Sequence, residues 1–170
     1  MSNVRVPRVR QSLIFIAVLT LHQGIALAAE PVLSPRGYGV IQFGQTLKSA
    51  EKVLNESIAS PVLSIECDYV EFKKLPNVKF MVENGVITRA DVSETISNSA
   101  GIRVGMSIAR VKRIQPRIKI EPAHYDPNGH DMTLSTQDQR AALVFEADKY
   151  KVTSIRGGLQ PSVGYVERCL

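Results

Sequence analysis

The densest run of chemically capable side chains is His124-Tyr125-Asp126-Pro127-Asn128-Gly129-His130-Asp131, which holds two imidazoles, two carboxylates and a phenol. Imidazole nitrogen and carboxylate oxygen are the donors that zinc and similar ions take, so His124, Asp126 and His130 are a candidate ligand set. An ion would need further ligands, and the neighbouring residues offer none. Asp126 to Gly129 is also what a tight turn requires: Asp accepts local N–H bonds, Pro fixes φ, and Gly permits the exit geometry. Folded at that turn, the run becomes a hairpin tip in which Tyr125 pairs across to His130 and His124 lies near Asp131. Tyr125, Asn128 and His130 are then the side chains a partner protein would meet first.

The rest of the inventory is poor in catalytic groups. No serine lies in a Gly-x-Ser-x-Gly turn, and beyond residue 30 the only histidines are the two in this run. Glu66, Asp68, Glu71 and Glu83 fall on neighbouring predicted strands, as a glycosidase-style carboxylate pair would, but half-exposed strands ordinarily carry such residues for solubility. The chain therefore reads as a non-enzyme with no catalytic residue and no cofactor. Arg156-Gly157-Gly158 reads as a turn or bulge ending a strand before Pro161, with an anion site as the less ordinary use of its N–H groups. Tyr38, Tyr69, Tyr150 and Tyr165 divide between core and binding surface.

The first residues bear on where this chemistry would work. Arg5, Arg8 and Arg10 precede the apolar run Leu13 to Leu21 and the small residues Ala26, Ala28 and Ala29. That order is a cleavable secretory signal over 1–29, cut after Ala28 or Ala29. A run of nine residues is too short for a bilayer, which takes about 20. No cysteine near the cut offers a lipid anchor. Cleavage would remove three of the 21 basic residues and none of the 16 acidic ones, leaving 18 against 16, a net charge of +2. Arg110, Lys112, Arg113, Arg117 and Lys119 gather around a predicted helix and read as a solvated face, with nucleic acid out of reach of an exported protein. In an oxidising compartment, the periplasm or beyond, Cys67 and Cys169 should form one disulfide closing a loop of about 100 residues. They sit in no Cys-x-x-Cys pair, which leaves redox catalysis without support.

Residues 30–170 suit one exported domain in two halves, about 37–93 and about 100–170. Phe43-Gly44-Gln45-Thr46-Leu47-Lys48-Ser49-Ala50 has a counterpart in Val104-Gly105-Met106-Ser107-Ile108-Ala109-Arg110-Val111. Each copy turns at a glycine and offers a hydroxyl N-cap to a short helix. Leu47, Ala50 and Leu54 share one helix face, as do Ile108, Val111 and Ile114, with Asn55 and Pro116 ending the two helices. Period two then predicts strands over Ile65 to Phe72, Val78 to Glu83 and Val86 to Val92, the last two joined by an Asn84-Gly85 hairpin turn. Further strands follow at Ile118 and Ile120, at Met132 and Leu134, at Leu143 and Phe145, and over Val152 to Ile155, with Val163 to Cys169 finishing the sheet. Pro122 places its strand at an edge or bulge. The expected fold class is α+β, two related halves of a short helix followed by antiparallel strands, closed by one disulfide.

The run Gly101-Ile102-Arg103-Val104-Gly105-Met106-Ser107 with Val111 resembles the glycine-turn-helix signature of the SmpA/OmlA (BamE) outer-membrane assembly lipoproteins. Its duplication resembles the tandem architecture of the β-lactamase inhibitor proteins, with Gln45 in the first copy where the second has Met106. The resemblance implies a small αβ module whose sheet or loops bind another envelope or secreted protein, and it brings over no catalytic residue.

Overall fold

The computed structural model describes residues 30–58, 66–92, 96–167 and 169; the leader expected at 1–29 lies outside them. The described residues form strands in two antiparallel sheets and two α-helices. The smaller sheet is a meander of β1 (Leu33–Ser34), β2 (Gly37–Tyr38) and β3 (Ile41–Gln42). The larger comprises β4 (Cys67–Val70), β5 (Val78–Glu83), β6 (Val86–Val92), β7 (Lys119–Pro122), β8 (His130–Ser135), β9 (Ala141–Ala147) and β10 (Val152–Leu159). Its order is β4-β5-β6-β10-β9-β8-β7, so the meanders β4 to β6 and β7 to β10 meet at a central β6–β10 pair. Pro122 lies on β7, an edge strand, where its missing N–H costs no ladder bond.

The helices α1 (Leu47–Leu54) and α2 (Ile108–Ile114) start as the hydroxyl caps predict. Thr46 accepts from the Ser49 N–H at 3.2 Å, and Ser107 accepts from the Arg110 N–H at 3.4 Å. Asn55 closes α1 in the left-handed conformation, and α2 stops before Pro116. Each helix is hung on a hairpin by three backbone bonds. The Gly44 N–H donates to Ile87 O, Ile87 N–H to Gln45 O, and Leu47 N–H to Gly85 O. In the other half Gly105 N–H donates to Val152 O, Val152 N–H to Met106 O, and Ile108 N–H to Tyr150 O. Gly44 and Gly105 take φ of 96° and 82°, which a side chain rarely adopts.

Strand alternation decides which side of the sheet each residue faces. Phe80, Val82, Ile87, Ala90, Leu143, Phe145 and Ile155 join Ala50, Leu54 and Val111 in one core on the helix side. Ala142 and Val144, on alternate positions of β9, face the other way and pack with Val163. Asn84 and Gly85 both take positive φ between β5 and β6, as their turn requires.

Two expected elements are corrected. Val163 to Cys169 does not finish the sheet: Ser162–Gly164 is a 3₁₀ turn and the chain beyond it forms no ladder as far as it is described. Val163 packs on the sheet rather than in it. Nor does Arg156-Gly157-Gly158 end a strand, for it lies within β10. The glycines serve close approach. A Cβ on Gly157 would meet the Ser34 carbonyl oxygen at 2.8 Å, and one on Gly158 would meet the Thr88 carbonyl oxygen at 2.7 Å. The first predicted strand is also shorter, Cys67–Val70, and leaves out Phe72, which is buried in the core.

Cys67 and Cys169 are bonded, with Cα atoms 5.3 Å apart across a sequence separation of 102. Replacing both by alanine should lower the unfolding free energy by about 4–5 kcal/mol on the chain-entropy account, read from urea denaturation; a loss under about 1 kcal/mol would show that the unfolded chain is not what the bond restrains. Gly157→Ala should cost about 1–3 kcal/mol in the same assay by forcing β1 off the sheet, and an unchanged midpoint would show that β1 yields freely.

Candidate functional site

The site is built by the segment after β10. It lies across β6, β10 and β9 on the side away from the helices, and two arginines beneath it hold it there. Arg89, 3 % exposed, grips Asp91 through Nε and Nη2 and donates from Nη1 to the carbonyls of Tyr165 at 2.8 Å and Ser162 at 3.3 Å. Arg156, also 3 % exposed, donates from Nε to Val163 O at 2.8 Å and from Nη1 to Glu146. The Ser162 hydroxyl donates to Glu83, which also accepts from Thr88. A buried guanidinium must be matched by acceptors, and the strap supplies them from its backbone. Cys169 then ties the strap to β4.

Beyond the strap the sheet side opens into two recesses that share His124, Tyr125 and Val166. The larger, about 480 Å3, runs from the Cys67–Cys169 bond past Glu83 and Tyr165 to Tyr125. The smaller, about 360 Å3, holds Asp126, Asp131, Glu146 and Thr153. Cys67 lies on one edge strand and His124 just past the other. In a flat sheet six strand spacings would separate those edges by about 29 Å, so their meeting at one recess makes this side concave.

The turn at Asp126 to Gly129 forms: the Asn128 N–H donates to Asp126 Oδ1 at 2.8 Å and the Gly129 N–H to Asp126 O at 2.9 Å. The pairing across it differs from the expected one. Pro122, not Tyr125, faces His130, and Glu121, not His124, faces Asp131. The bond from Ala123 N–H to Gly129 O closes the ladder early, which leaves 123–129 as a wider loop. Tyr125 leans instead onto the strap and donates to Glu167, with the His124 ring edge-on to it at 4.4 Å. Tyr125 is 65 % exposed and Asn128 is exposed at the loop apex, whereas His130 is half-buried, its Nδ1 buried without a hydrogen-bond partner. The three predicted contact residues are therefore split between the loop surface and the strand behind it. The alternative ligand set is not assembled: among the described residues no group of three or more His, Cys, Asp or Glu side chains could hold a metal ion, His124, Asp126 and His130 included.

The carboxylates of the cleft differ in state. Burial alone would raise Glu146, but the bonds from Ser154 and Arg156 together hold it below its ordinary range. Burial pushes Asp131 up; Arg156 opposes that, and the Glu146 and Glu121 charges add to it. The hydrogen bond to Glu167 raises the Tyr125 phenol above its ordinary range. Tyr165, Val166 and Glu167 complete the site from the far end of the chain. The sequence offers two signals for the tail, the cysteine pair and the apolar Val163 to Cys169 read as a last strand, and neither places Tyr165 in a cleft.

Fold and cleft define a class: a disulfide-closed α+β domain whose curled antiparallel sheet carries helices on one side and a concave, aromatic-lined surface on the other. Compared with protein-family models, with curated proteins and with solved structures, the chain matches none of them. Among the described residues no helix is long and apolar enough to cross a membrane.

Because its carboxyl is raised, Asp131 favours the fold while protonated and loses that contribution as pH rises through its folded pKa. Asp131→Asn should accordingly unfold at a higher temperature than the parent at about pH 7 and lose the advantage by about pH 3. An advantage that persists in acid would assign the gain to packing rather than to charge.

Proposed function

We propose that this chain is an exported, non-catalytic protein-binding module of two related halves, which grips its partner in the concave cleft between the strap and the 123–129 loop. One observation carries the reading. Of the large apolar or aromatic side chains left exposed, Tyr125, Tyr165 and Val166 gather in this one cleft, at 65 %, 42 % and 40 % exposure. Tyrosine presents wide contact area with few torsions to freeze and a hydroxyl for the rim, which is why it recurs among binding hot spots. Two of the cleft carboxylates are held by structural partners, Glu146 by Arg156 and Ser154 and Glu167 by Tyr125, which supports binding over catalysis.

The matching trios of bonds that hang α1 and α2 on their hairpins support the two halves, and with them the likeness to tandem modules of the SmpA/OmlA and β-lactamase inhibitor kind. The disulfide supports a non-cytoplasmic setting. Glycine turn, cap and strands are needed for folding whatever is bound, so the partner is read from the cleft and not from the likeness. A small organic ligand is the second reading, favoured by a recess of about 480 Å3, a size usual for such sites.

The test is cross-linking of the tagged mature protein in its native envelope, with partners identified by mass spectrometry. One partner should enrich, and Tyr125→Ala with Tyr165→Ala should weaken its binding by about 2 kcal/mol or more, while Asn128→Ala at the loop apex has a smaller effect. Full affinity in the tyrosine double variant would remove the cleft from the site. No enrichment over a charge-matched exported control would move the reading to a small ligand.

A further inference from the structure

Between Ile96 and Ile120 the chain carries six cations, Arg103, Arg110, Lys112, Arg113, Arg117 and Lys119, and no carboxylate. All six are exposed, and among the described residues only Lys119 is in an ion pair, with Glu121 at 2.8 Å. The fold explains only part of this. Lys112 and Arg113 lie in the last turn of α2, where positive charge suits the helix dipole. Arg110 has no such reason, and its place one turn before Arg113 sets like charges side by side, which weakens a short helix. The other helix shows that the architecture does not need an all-cationic face: α1, hung on its hairpin by the same kind of bonds, mixes Lys48 and Lys52 with Glu51.

The face also carries apolar surface. Val111 is buried and Ile108 packs against the core, yet Ile114 stands 41 % exposed among the cations. At the turn before α2 a recess of about 600 Å3, more polar than apolar, is lined by Arg103, Val104, Met106, Ser107 and Arg110. Cations flanking an exposed apolar side chain suit a partner that is acidic and partly apolar.

We infer that the α2 face is a second docking surface, separate from the cleft, and that it receives an acidic segment of a partner protein. Arg103, Arg110, Arg113 and Arg117 pair the segment's carboxylates while Ile114 meets its apolar side chains. Four of the six cations are arginines, whose fork pairs carboxylate and phosphate alike, so it is the exposed Ile114 among them that favours a partly apolar protein segment over a phosphate backbone. Arginine is enriched and lysine depleted in protein interfaces, and its planar fork pairs a carboxylate through two bonds. Attraction to a bilayer or a nucleic acid backbone counts positive charges and draws on lysine as readily.

The experiment uses the mature full-length protein and a labelled peptide rich in glutamate with interspersed leucines, its glutamine counterpart, phosphatidylglycerol vesicles and single-stranded DNA. The glutamate peptide should bind and the glutamine peptide should not. Arg110→Gln, Arg113→Gln and Arg117→Gln together should weaken binding about tenfold or more, and Lys48→Gln with Lys52→Gln on α1 should leave it unchanged. The charge-preserving set Arg110→Lys, Arg113→Lys and Arg117→Lys should also lose affinity, and Ile114→Ser should weaken binding with every charge in place. The inference falls if the α1 variant loses as much as the α2 variant, or if the lysine set binds like the parent. It falls equally if vesicles or DNA bind through the same arginines and the peptide does not. All these substitutions are at exposed positions, and an unchanged thermal midpoint separates lost binding from lost folding.

Discussion

Two guanidinium groups sit almost out of solvent on the side of the sheet away from the helices, and much of the rest of the molecule is arranged to match them. An unmatched buried cation costs several kcal/mol, so the strap that buries Arg89 and Arg156 on the adjacent strands β6 and β10 has to supply acceptors as it covers them. Side-chain acceptors answer part of the demand, Asp91 for one and Glu146 for the other. Backbone carbonyls of Ser162, Val163 and Tyr165 answer the remainder. The last described segment is thereby a structural member, and the side it covers is polar underneath, with an apolar patch where Val163 meets Ala142 and Val144.

That arrangement leads directly to the cleft. A strap pinned at its start by two arginines and near its end by a disulfide has one course across a curled sheet. The course leaves Tyr165, Val166 and Glu167 beside the 123–129 loop, so that Tyr125 can rest on Glu167. The concave side gains its depth because two meanders meet at β6–β10 and curl together. The glycines of β10 let that central strand lie close beneath β1 on one side and against β6 on its flank. A candidate binding surface and the core share these few residues, which makes the surface preorganised.

Electrostatically the molecule is two-sided. Glu83, Asp126, Asp131, Glu146 and Glu167 line the cleft, while the run from Arg103 to Lys119 is cationic throughout. A net charge of +5 conceals that division. Cleft and α2 face offer opposite chemistry, and one kind of partner would not satisfy both.

Local elements were legible because their causes lie within a few residues of one another. The hydroxyls of Thr46 and Ser107, the left-handed Asn55, the Asn84-Gly85 turn and the alternating strands follow from capping, backbone φ and period two, each read over a short window. Pro122 marked an edge, and two cysteines in one chain marked a bond. The turn at Asp126 to Gly129 was legible too, but not the register around it, because a loop's width is decided where the ladder closes. Glycine in Arg156-Gly157-Gly158 signals a turn or a close neighbour alike, and only β1 and β6 beside it decide between them. The apolar tail reads equally as a strand or a cover. Its role was decided by the arginines beneath it, which lie on strands brought together across the sheet, since matching a buried charge depends on spatial neighbours that no short stretch of sequence contains.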